Sequence, residues 1–270
     1  MPKFPPISKC NLQKKSYKTI ASDLDGTLLI SNSPIPYYML IAIEAGSLIR
    51  GLTLLLNLPL IIITYYFISE SLGIQMLIFI SFKGLESRDI DRVARDILPR
   101  FYSTDIRRES FEVFDLCVGK RVVVTASPTV MVENFVKDYL GGHKVLGTII
   151  EVDPVTRKAT GFVSGDGVLV SGKKRKVIVA EFGAEGMPDV GLGDRKSDHD
   201  FMSLCKEGYM VHKDERAKPL SEDRLKSRII LHHGRIRKRL DPFNAVLFFI
   251  WLPFDSILSL IKGRLVQKLK

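Results

Sequence analysis

The sequence predicts an α/β fold built on an open, mostly parallel β-sheet. Short apolar runs rich in β-branched residues alternate with helix-like segments between residues 17 and 212, and this alternation is typical of such sheets. Three of the runs stop at a polar residue: Asp23, Thr125 or Asp194. Because parallel strands end along the same edge of a sheet, we expect these three side chains to meet at one site.

The composition is that of a folded protein with an anionic partner. The 270 residues correspond to one or two domains at about 150 residues each. Hydrophobic residues make up 46% and charged residues 26%, which excludes a disordered tail, a collagen and a low-complexity linker. The net charge of +10 suits nucleic acid, a phosphorylated metabolite or an acidic membrane face.

The three cysteines, Cys10, Cys117 and Cys205, are scattered along the chain. Their spacing supports neither a disulfide framework nor a zinc site. The first 22 residues contain no apolar run, so we expect no cleavable secretory signal and reduced, cytosolic thiols.

The first predicted element is a flexible tail over residues 1–16, which contain lysines and prolines. A strand is predicted over 17–22 (YKTIAS), because apolar and β-branched residues run up to Asp23. The segment DLDGTLL follows, and its glycine, Gly26, permits a tight turn after the strand.

The region 37–82 is unusually apolar, and residues 51–69 form a run of 19 residues without a charge. A helix of that length spans about 28 Å, just short of the roughly 30 Å hydrocarbon core of a bilayer. Asn57 and Pro59 lie near its middle, so we expect a helical hairpin or an in-plane element rather than a clean span. A buried core helix is the alternative interpretation.

Strand and helix patterns alternate again after a charged, amphipathic stretch over 83–116. Pro128 suits the first turn of a helix, and the residues that follow it carry an apolar stripe. The further predicted elements are a strand over 120–126, a helix over 128–140, strands within 145–170, a helix over 174–183, and strands over 189–193 and 208–211.

The carboxyl-terminal part is predicted to be a basic linker over 213–242 and an apolar, membrane-associated segment over 243–262. The run 224–239 holds seven Lys and Arg residues and no acid, each contributing about 1 kcal/mol near an anionic cytosolic leaflet. It has no interleaved aromatic residue, which favours lipid over nucleic acid. The stretch between Asp194 and this run is too polar to cross a membrane, so we expect the active site to face the cytosol.

The acidic residues of the predicted site suit a magnesium ion. Asp23 and Asp25 are two residues apart, and Asp194 and Asp198 are four apart, so each pair can present both carboxylates to one place. Carboxylates gathered at one point repel unless a hard cation neutralises them, and oxygen ligands favour Mg²⁺. A carboxylate that attacks a phosphoryl group needs the same neutralisation, because both reactants are anionic.

Two further side chains complete the predicted chemistry. Thr125 can donate a hydrogen bond to a phosphoryl oxygen, and a lysine of the 173–176 cluster can offset the developing charge. Each feature alone has a simpler interpretation, since DxDG is a common turn and a lysine cluster often marks a solvated helix start. The histidines have no metal-ligand spacing and are assigned no role.

Four motifs together resemble those of the haloacid-dehalogenase phosphatase superfamily. They are DLDGTLL over 23–29, VVVTASP over 122–128, the lysines of 173–176 and GLGDRKSD over 191–198. The resemblance implies a Rossmann-like parallel sheet with a helical, apolar cap over about residues 30–116. It also implies the following roles: Asp23 as nucleophile, Asp25 as acid and base, Thr125 as the phosphate-binding hydroxyl, Lys174 as the lysine (with Lys173 and Lys176 left open), and Asp23, Asp25, Asp194 and Asp198 as the Mg²⁺ site.

A closer resemblance links GLGDRKSDHDFMSLCKEGYMVHK (191–213), the apolar cap and LPFDSILSLI (252–261) to the amino-terminal half of land-plant glycerol-3-phosphate acyltransferases. These sn-2 acyltransferases make cutin and suberin lipids, and some also remove the phosphate to give monoacylglycerol. The resemblance implies an acylated glycerol phosphate substrate and the endoplasmic reticulum membrane.

The acyltransferase half of that family carries an H-x4-D motif, and no histidine of these 270 residues has an aspartate five positions later. We therefore expect a Mg²⁺-dependent phosphatase at the membrane, with acyl-CoA as a partner only if the missing half is supplied. The alternatives are an acyltransferase subunit that lacks its catalytic half in this chain, and a non-catalytic membrane scaffold. A scaffold has no need to gather uncompensated carboxylates.

Overall fold

The computed structural model describes residues 4–10, 17–183, 186–212 and 217–226. The predicted apolar segment 243–262 and most of the predicted basic linker 213–242 lie outside the described residues.

The predicted parallel sheet is confirmed, and its two innermost pairings join distant parts of the chain. β1 lies in the centre, paired in parallel with β2 on one side and β6 on the other, in the order β3-β2-β1-β6-β7. A separate antiparallel hairpin consists of β4 and β5. The strands are β1 Tyr17–Ser22, β2 Cys117–Pro128, β3 Lys144–Thr148, β4 Ile150–Val152, β5 Ala159–Val163, β6 Val190–Gly193 and β7 Glu207–Met210.

Some helices cover the sheet, and others, from the part of the sequence between β1 and β2, form a separate layer. In the described residues the helices are α1 Ile35–Leu40, α2 Leu48–Ile63, α3 Glu70–Phe82, α4 Ser87–Asp96, α5 Leu98–Thr104, α6 Arg108–Asp115, α7 Thr129–Asp138, α8 Gly172–Phe182 and α9 His199–Met202. A wide helical turn over Ile41–Gly46 follows α1, and another over Thr64–Ile68 continues α2. The apolar residues Ala21, Val124, Ile178, Phe201 and Met202 fill one side of the core.

The cap begins and ends at a short two-stranded hinge. Leu29 pairs with Ile106, the Ile30 N–H donates to the Asp105 carbonyl at 2.7 Å, and the Arg107 N–H donates to the Leu28 carbonyl at 2.8 Å. The cap therefore spans about 30–106, which is shorter than the predicted 30–116. The difference is α6, which buries Phe111 and Phe114 and packs beside β2 rather than in the cap.

The β4–β5 hairpin holds the far side of the cap. Backbone N–H groups of Gly84 and Ser87 donate to the carbonyls of Ala159 and Arg157 at 2.7 and 3.0 Å, and the Ala159 N–H donates to the Leu85 carbonyl at 2.8 Å. The Phe79 and Phe162 rings pack with their centroids 5.5 Å apart. The β4–β5 hairpin thus attaches the cap to the sheet domain in addition to its covalent connections.

The long apolar run forms one arm of a helical hairpin, and the chain reverses later than predicted. Asn57 and Pro59 do not interrupt α2: the Asn57 amide donates to the Thr53 carbonyl at 2.8 Å, one turn earlier, and Pro59 lies on an exposed part of the helix. The reversal occurs at Ser69, whose backbone is extended and whose hydroxyl accepts the Leu72 N–H. The expected break near 57–59 is therefore wrong.

Much of the α2–α3 hairpin surface is apolar and exposed, so the buried-core alternative applies to one stripe only. Leu54, Leu58 and Ile61 are buried. Within the described residues, the continuous helix over Leu48–Ile68 is long and apolar enough to cross a membrane, by length and composition alone. Its exposed large apolar side chains are Leu48, Ile49, Leu52, Leu55, Leu56, Leu60, Ile63, Tyr66, Phe67 and Ile68.

The expected loose tail is wrong for residues 4–10. The Met210 N–H donates to the Pro5 carbonyl at 2.9 Å, which extends the sheet beside β7. Ile7 is buried, and Phe4 packs edge-on against His199. Burial of Ile7 and the partial burial of Phe4 offset part of the cost of ordering the segment.

Candidate active site

The central strand delivers Asp23 to the carboxyl edge of the sheet, and Gly26 lets the chain turn there. The Asp23 N–H donates to the Leu192 carbonyl of β6 at 2.9 Å, which fixes the residue between the two innermost strands. Gly26 has a φ of +83°, and a Cβ there would lie 2.4 Å from Oδ2 of Asp194. A side chain at this position would both strain the backbone and displace the second acidic segment.

Lys174 connects the nucleophile candidate to the last motif. Its Nζ donates to Oδ1 of Asp23 at 2.6 Å and to Oδ1 of Asp198 at 2.7 Å, and all three side chains are buried. Burial alone would lower the pKa of Lys174, but Asp198 and Asp23 together raise it above its ordinary value. Of the three lysines left open, the structure brings Lys174 into the site, whereas Lys176 is exposed and Lys173 lies beside Gly167.

Three carboxylates form a cluster that fits a hard cation. One oxygen each from Asp23, Asp194 and Asp198 lies within 4.8 Å of the others. Oδ1 of Asp194 is buried and has no hydrogen-bond partner among the residues that the structure describes. An unpaired buried carboxylate oxygen is costly, and a divalent cation bound by oxygen ligands would satisfy it. The donor set therefore fits Mg²⁺.

The Asp25 carboxylate lies outside this cluster, contrary to the expectation that all four acids gather around the cation. Its Oδ2 accepts a hydrogen bond from the Ser127 hydroxyl at 2.9 Å. Burial, reinforced by the charge of Asp23, raises the pKa of Asp25 to about 7. Asp25 is thus suited to exchange a proton near neutral pH.

Thr125 is fully buried near the end of β2, and Ser127 is the neighbour that sequence reasoning missed. Oγ1 of Thr125 accepts the Ser127 N–H at 3.0 Å, which orients the threonine hydroxyl at the sheet edge. Ser127 follows Thr125 by two positions, and residues two apart on a strand share a face. That spacing was the available signal for a second hydroxyl in the site.

Burial also raises the pKa values of Asp23 and Asp194. The pKa of Asp23 rises to about 6, because burial outweighs the opposing charge of Lys174. The pKa of Asp194 rises to about 8, because burial outweighs the opposing charge of Arg195. In both residues burial disfavours the charged carboxylate by more than the neighbouring cation favours it.

Arg195 is the other residue that the sequence did not single out. Its Nη1 donates to the Tyr65 hydroxyl at 2.5 Å, its Nη2 donates to the Asn32 carbonyl, and its Nε lies 3.4 Å from Oδ2 of Asp194. Tyr65 in turn donates to Glu70 at 3.0 Å. Arg195, which follows the candidate metal ligand Asp194, therefore contacts the cap at two places: Asn32 on the hinge side and Tyr65 near the turn of the hairpin.

Comparison with known proteins assigns most of the described region to one family. A family model described as glycerol-3-phosphate acyltransferase RAM2-like, HAD-like domain, matches residues 19–211. The chain is 45% identical over 239 residues to glycerol-3-phosphate acyltransferase RAM2 of Petunia hybrida, covering 88% of this chain and 49% of that protein. It is 30% identical over 286 residues to glycerol-3-phosphate acyltransferase 1 of Arabidopsis thaliana, covering 97% and 48%. The chain thus spans about half the length of these relatives.

Solved structures show the fold. A protein of unknown function from Bordetella pertussis Tohama I matches with a TM-score of 0.54 at 14% identity, covering 72% of this chain and 89% of that one. A substrate-bound phosphoserine phosphatase complex matches with a TM-score of 0.50 at 16% identity, covering 76% and 96%. The sheet with its helical cap is therefore a haloacid-dehalogenase-like fold, as predicted.

Proposed function

The chain belongs to the RAM2-like glycerol-3-phosphate acyltransferase family through its haloacid-dehalogenase-like domain, and we propose that this domain is a phosphatase acting on an acylated glycerol phosphate. The observation that carries the proposal is Lys174, buried between Asp23 and Asp198. A buried lysine that holds two acids at the edge of a parallel sheet has little value for stability, since an apolar cluster of the same size often packs as well. It suits a site that binds a phosphoryl group.

Asp23 is the proposed nucleophile. Lys174 holds its Oδ1, and the Thr27 hydroxyl donates to its Oδ2 at 3.3 Å, so the carboxylate is oriented and part of the cost of burying its charge is offset. In the first step an Asp23 oxygen forms a bond to phosphorus while the bond from phosphorus to the glycerol oxygen breaks. Asp25, with its raised pKa, gives its proton to the departing oxygen.

The second step returns the enzyme to its starting state. A water molecule attacks the phosphorus of the aspartyl phosphate, its proton passes to Asp25, and the bond between phosphorus and Asp23 breaks. The buried Thr125 hydroxyl and Lys174 Nζ bind the phosphoryl oxygens in both steps. Ser127 keeps the Asp25 carboxyl turned to one position through the exchange.

Asp23, Asp194 and Asp198 would hold Mg²⁺ as the cofactor. When bound, the ion supplies positive charge that offsets the repulsion between these carboxylates and the incoming phosphate. The unpaired Oδ1 of Asp194 supports this assignment.

The exposed hairpin supports a lipid substrate and a membrane partner. Ile49 and Leu56 are 78% and 71% exposed on α2, and Phe67 is 66% exposed near the hairpin turn. The same turn carries Tyr65, which contacts Arg195 beside the carboxylate cluster. A bilayer that covered the apolar face would therefore lie near the site, and an acyl chain could stay in lipid while its phosphate reached Asp23. We place the protein at the endoplasmic reticulum with this site on the cytosolic side, and we assign no nucleic-acid partner.

Family membership supports acyl transfer as a second candidate for the whole protein. The relatives are named acyltransferases, and the matched part of each is about half of its length. Because these 270 residues contain no H-x4-D pair, acyl transfer from acyl-CoA would require a catalytic half that this sequence does not include.

Phosphate release from lysophosphatidic acid, compared with release from phosphoserine, tests the proposal. We expect Mg²⁺-dependent release from the lipid at a much higher kcat/KM, and no release in a chelator. A labelled acyl-CoA assay with glycerol 3-phosphate in parallel should give no acylated product. Preference for phosphoserine would overturn the substrate assignment, and acylated product would favour the second candidate.

A further inference from the structure

Arg195 makes close contacts with the cap and only a distant one with the neighbouring acid. On the cap side, Nη1 donates to the Tyr65 hydroxyl at 2.5 Å and lies 3.6 Å from Oε1 of Glu70. Nη2 donates to the backbone carbonyl of Asn32. On the site side, Nε lies 3.4 Å from Oδ2 of Asp194.

Arginine–carboxylate pairs are frequently bidentate, with two parallel hydrogen bonds of about 2.7–2.9 Å. Here the contact with Asp194 is longer and involves one nitrogen. The other Asp194 oxygen, Oδ1, is buried and has no hydrogen-bond partner in the described part of the chain. The strongest cation near Asp194 thus leaves one of its oxygens open.

The carboxylate itself has little freedom to adjust. Oδ2 of Asp194 lies 2.4 Å from the place where a Cβ on Gly26 would be, so the backbone of the 23–28 loop lies against it. The backbone N–H groups of Asp194 and Arg195 donate to Asp198 at 3.3 and 3.1 Å, which fixes the main chain. The guanidinium group is therefore the part that would move if its cap contacts were lost.

We propose that Tyr65, Glu70 and the Asn32 carbonyl restrain Arg195 so that it does not fork onto Asp194, which makes Arg195 a positioning residue that keeps an Asp194 oxygen open for the divalent cation. The cap thereby sets the cation affinity of the sheet domain. This inference rests on the proposed function only for the identity of the cation.

Removing the restraining groups and removing Arg195 itself should have opposite effects on the binding of the divalent cation. Without the Tyr65 hydroxyl and the Glu70 charge, the Asn32 carbonyl alone of the three restraining groups remains, so the guanidinium competes with the cation for Asp194 and binding weakens. Without Arg195, neither the competition nor the repulsion between two cations remains, and binding is at least as strong as in the wild type. A merely structural role for the network would weaken binding in both cases.

The experiment is a Mg²⁺ titration of the full chain followed by its melting temperature, which does not depend on turnover. We expect the Tyr65→Phe/Glu70→Gln double variant to raise the half-saturating Mg²⁺ concentration about 10-fold, the size typical of losing a residue that orients a metal ligand. Adding Arg195→Met to that variant should restore the wild-type value or a lower one. Tyr66→Phe and Arg175→Met are matched controls that should leave it unchanged.

Unchanged Mg²⁺ affinity in the double variant, or no recovery on adding Arg195→Met, would overturn the inference. If the double variant does not fold, Tyr65→Phe alone, which removes a single hydroxyl, should still raise the half-saturating concentration, and its failure to do so counts against the inference. Phosphate release is measured on the same samples. A wild-type chain that releases no phosphate but shows the expected titration pattern would refute the proposed function and leave this inference standing.

Discussion

The sheet edge and the α2–α3 hairpin depart from ordinary solvation in opposite directions. At the sheet edge, Asp23, Lys174 and Asp198 are charged groups buried almost completely. On the hairpin, large apolar side chains such as Ile49 and Leu56 face outward. Charged groups are seldom fully buried unless paired, and contiguous exposed apolar surface marks an interaction site.

The two departures differ in how far the protein compensates them. Hydrogen bonds at the sheet edge pair Asp23 and Asp198 with Lys174, and only Oδ1 of Asp194 among the cluster oxygens is left buried and unpaired in the described residues. The apolar hairpin face has no comparable cover within that part of the chain. The site is therefore nearly complete by itself, whereas the hairpin leaves its apolar face uncovered within the described fold.

The largest effect expected at the sheet edge is that of Asp23→Asn. The amide keeps the size of the side chain but cannot form an acyl phosphate, so turnover should fall by at least about 10³-fold. Phosphate release from lysophosphatidic acid measures it. Asp200→Asn, at an exposed acid on α9, is the control with the same chemical change, and undiminished turnover in Asp23→Asn would refute the mechanism.

The second effect is that of Lys174→Met, which should cost about 10²- to 10³-fold in turnover, because the charge aimed at the phosphoryl oxygens is lost. It also leaves Asp23 and Asp198 buried without their partner, and breaking such a pair typically costs about 3–5 kcal/mol of unfolding free energy. Urea unfolding without Mg²⁺ should show this loss, and saturating Mg²⁺ should recover part of it. Lys176→Met, at an exposed position on the same helix, should change neither quantity.

The hairpin is tested by Leu56→Asp combined with Phe67→Asp. Burying each large apolar side chain contributes about 1.5–3 kcal/mol, so losing two should lower the partition coefficient on anionic phospholipid vesicles by at least about 100-fold. High salt is used, because it suppresses any contribution from the predicted basic run 224–239. Val118→Asp places the same charge on an apolar residue that is 75% exposed but lies at the opposite edge of the sheet.

Equal vesicle binding by the hairpin variant, the Val118→Asp control and the wild type would mean that the exposed face does not meet lipid. The lipid substrate would then lose its main structural support, while the phosphatase chemistry of the sheet edge would be unaffected.

The smallest effect concerns pH. Asp25 must be protonated to assist the leaving group, and its pKa of about 7 predicts a rate that falls as pH rises through that value. The Ser127 hydrogen bond stabilises the charged form, so Ser127→Ala should raise the pKa and move the alkaline limb upward by about 0.7 pH units, the equivalent of one hydrogen bond of about 1 kcal/mol. Ser203→Ala, at an exposed serine, should leave the profile in place.

The sequence predicts the sheet edge far better than the hairpin. Strand β1 has the predicted bounds, because local patterns report strand ends directly, and Lys174, the lysine that the motif resemblance implies, lies in the site. The reversal at Ser69 was missed since an apolar helix tolerates Pro59 on its exposed side, which no local rule reveals. Arg195 was missed because its partners Tyr65 and Asn32 are 130 and 163 positions away, so only the folded chain identifies them.

Because β1 pairs with β6, the α2–α3 hairpin is synthesised well before the sheet edge can be completed. Asp23 and Leu192 are about 170 residues apart, and translation at about 5–20 residues per second needs roughly 10–35 s to cover that distance. The hairpin follows β1 in the sequence and is therefore synthesised early in this interval. During the rest of the interval, β1 still lacks β6 as its neighbour in the sheet. A nascent chain therefore exposes the apolar hairpin before β6 is available to complete the sheet edge around Asp23.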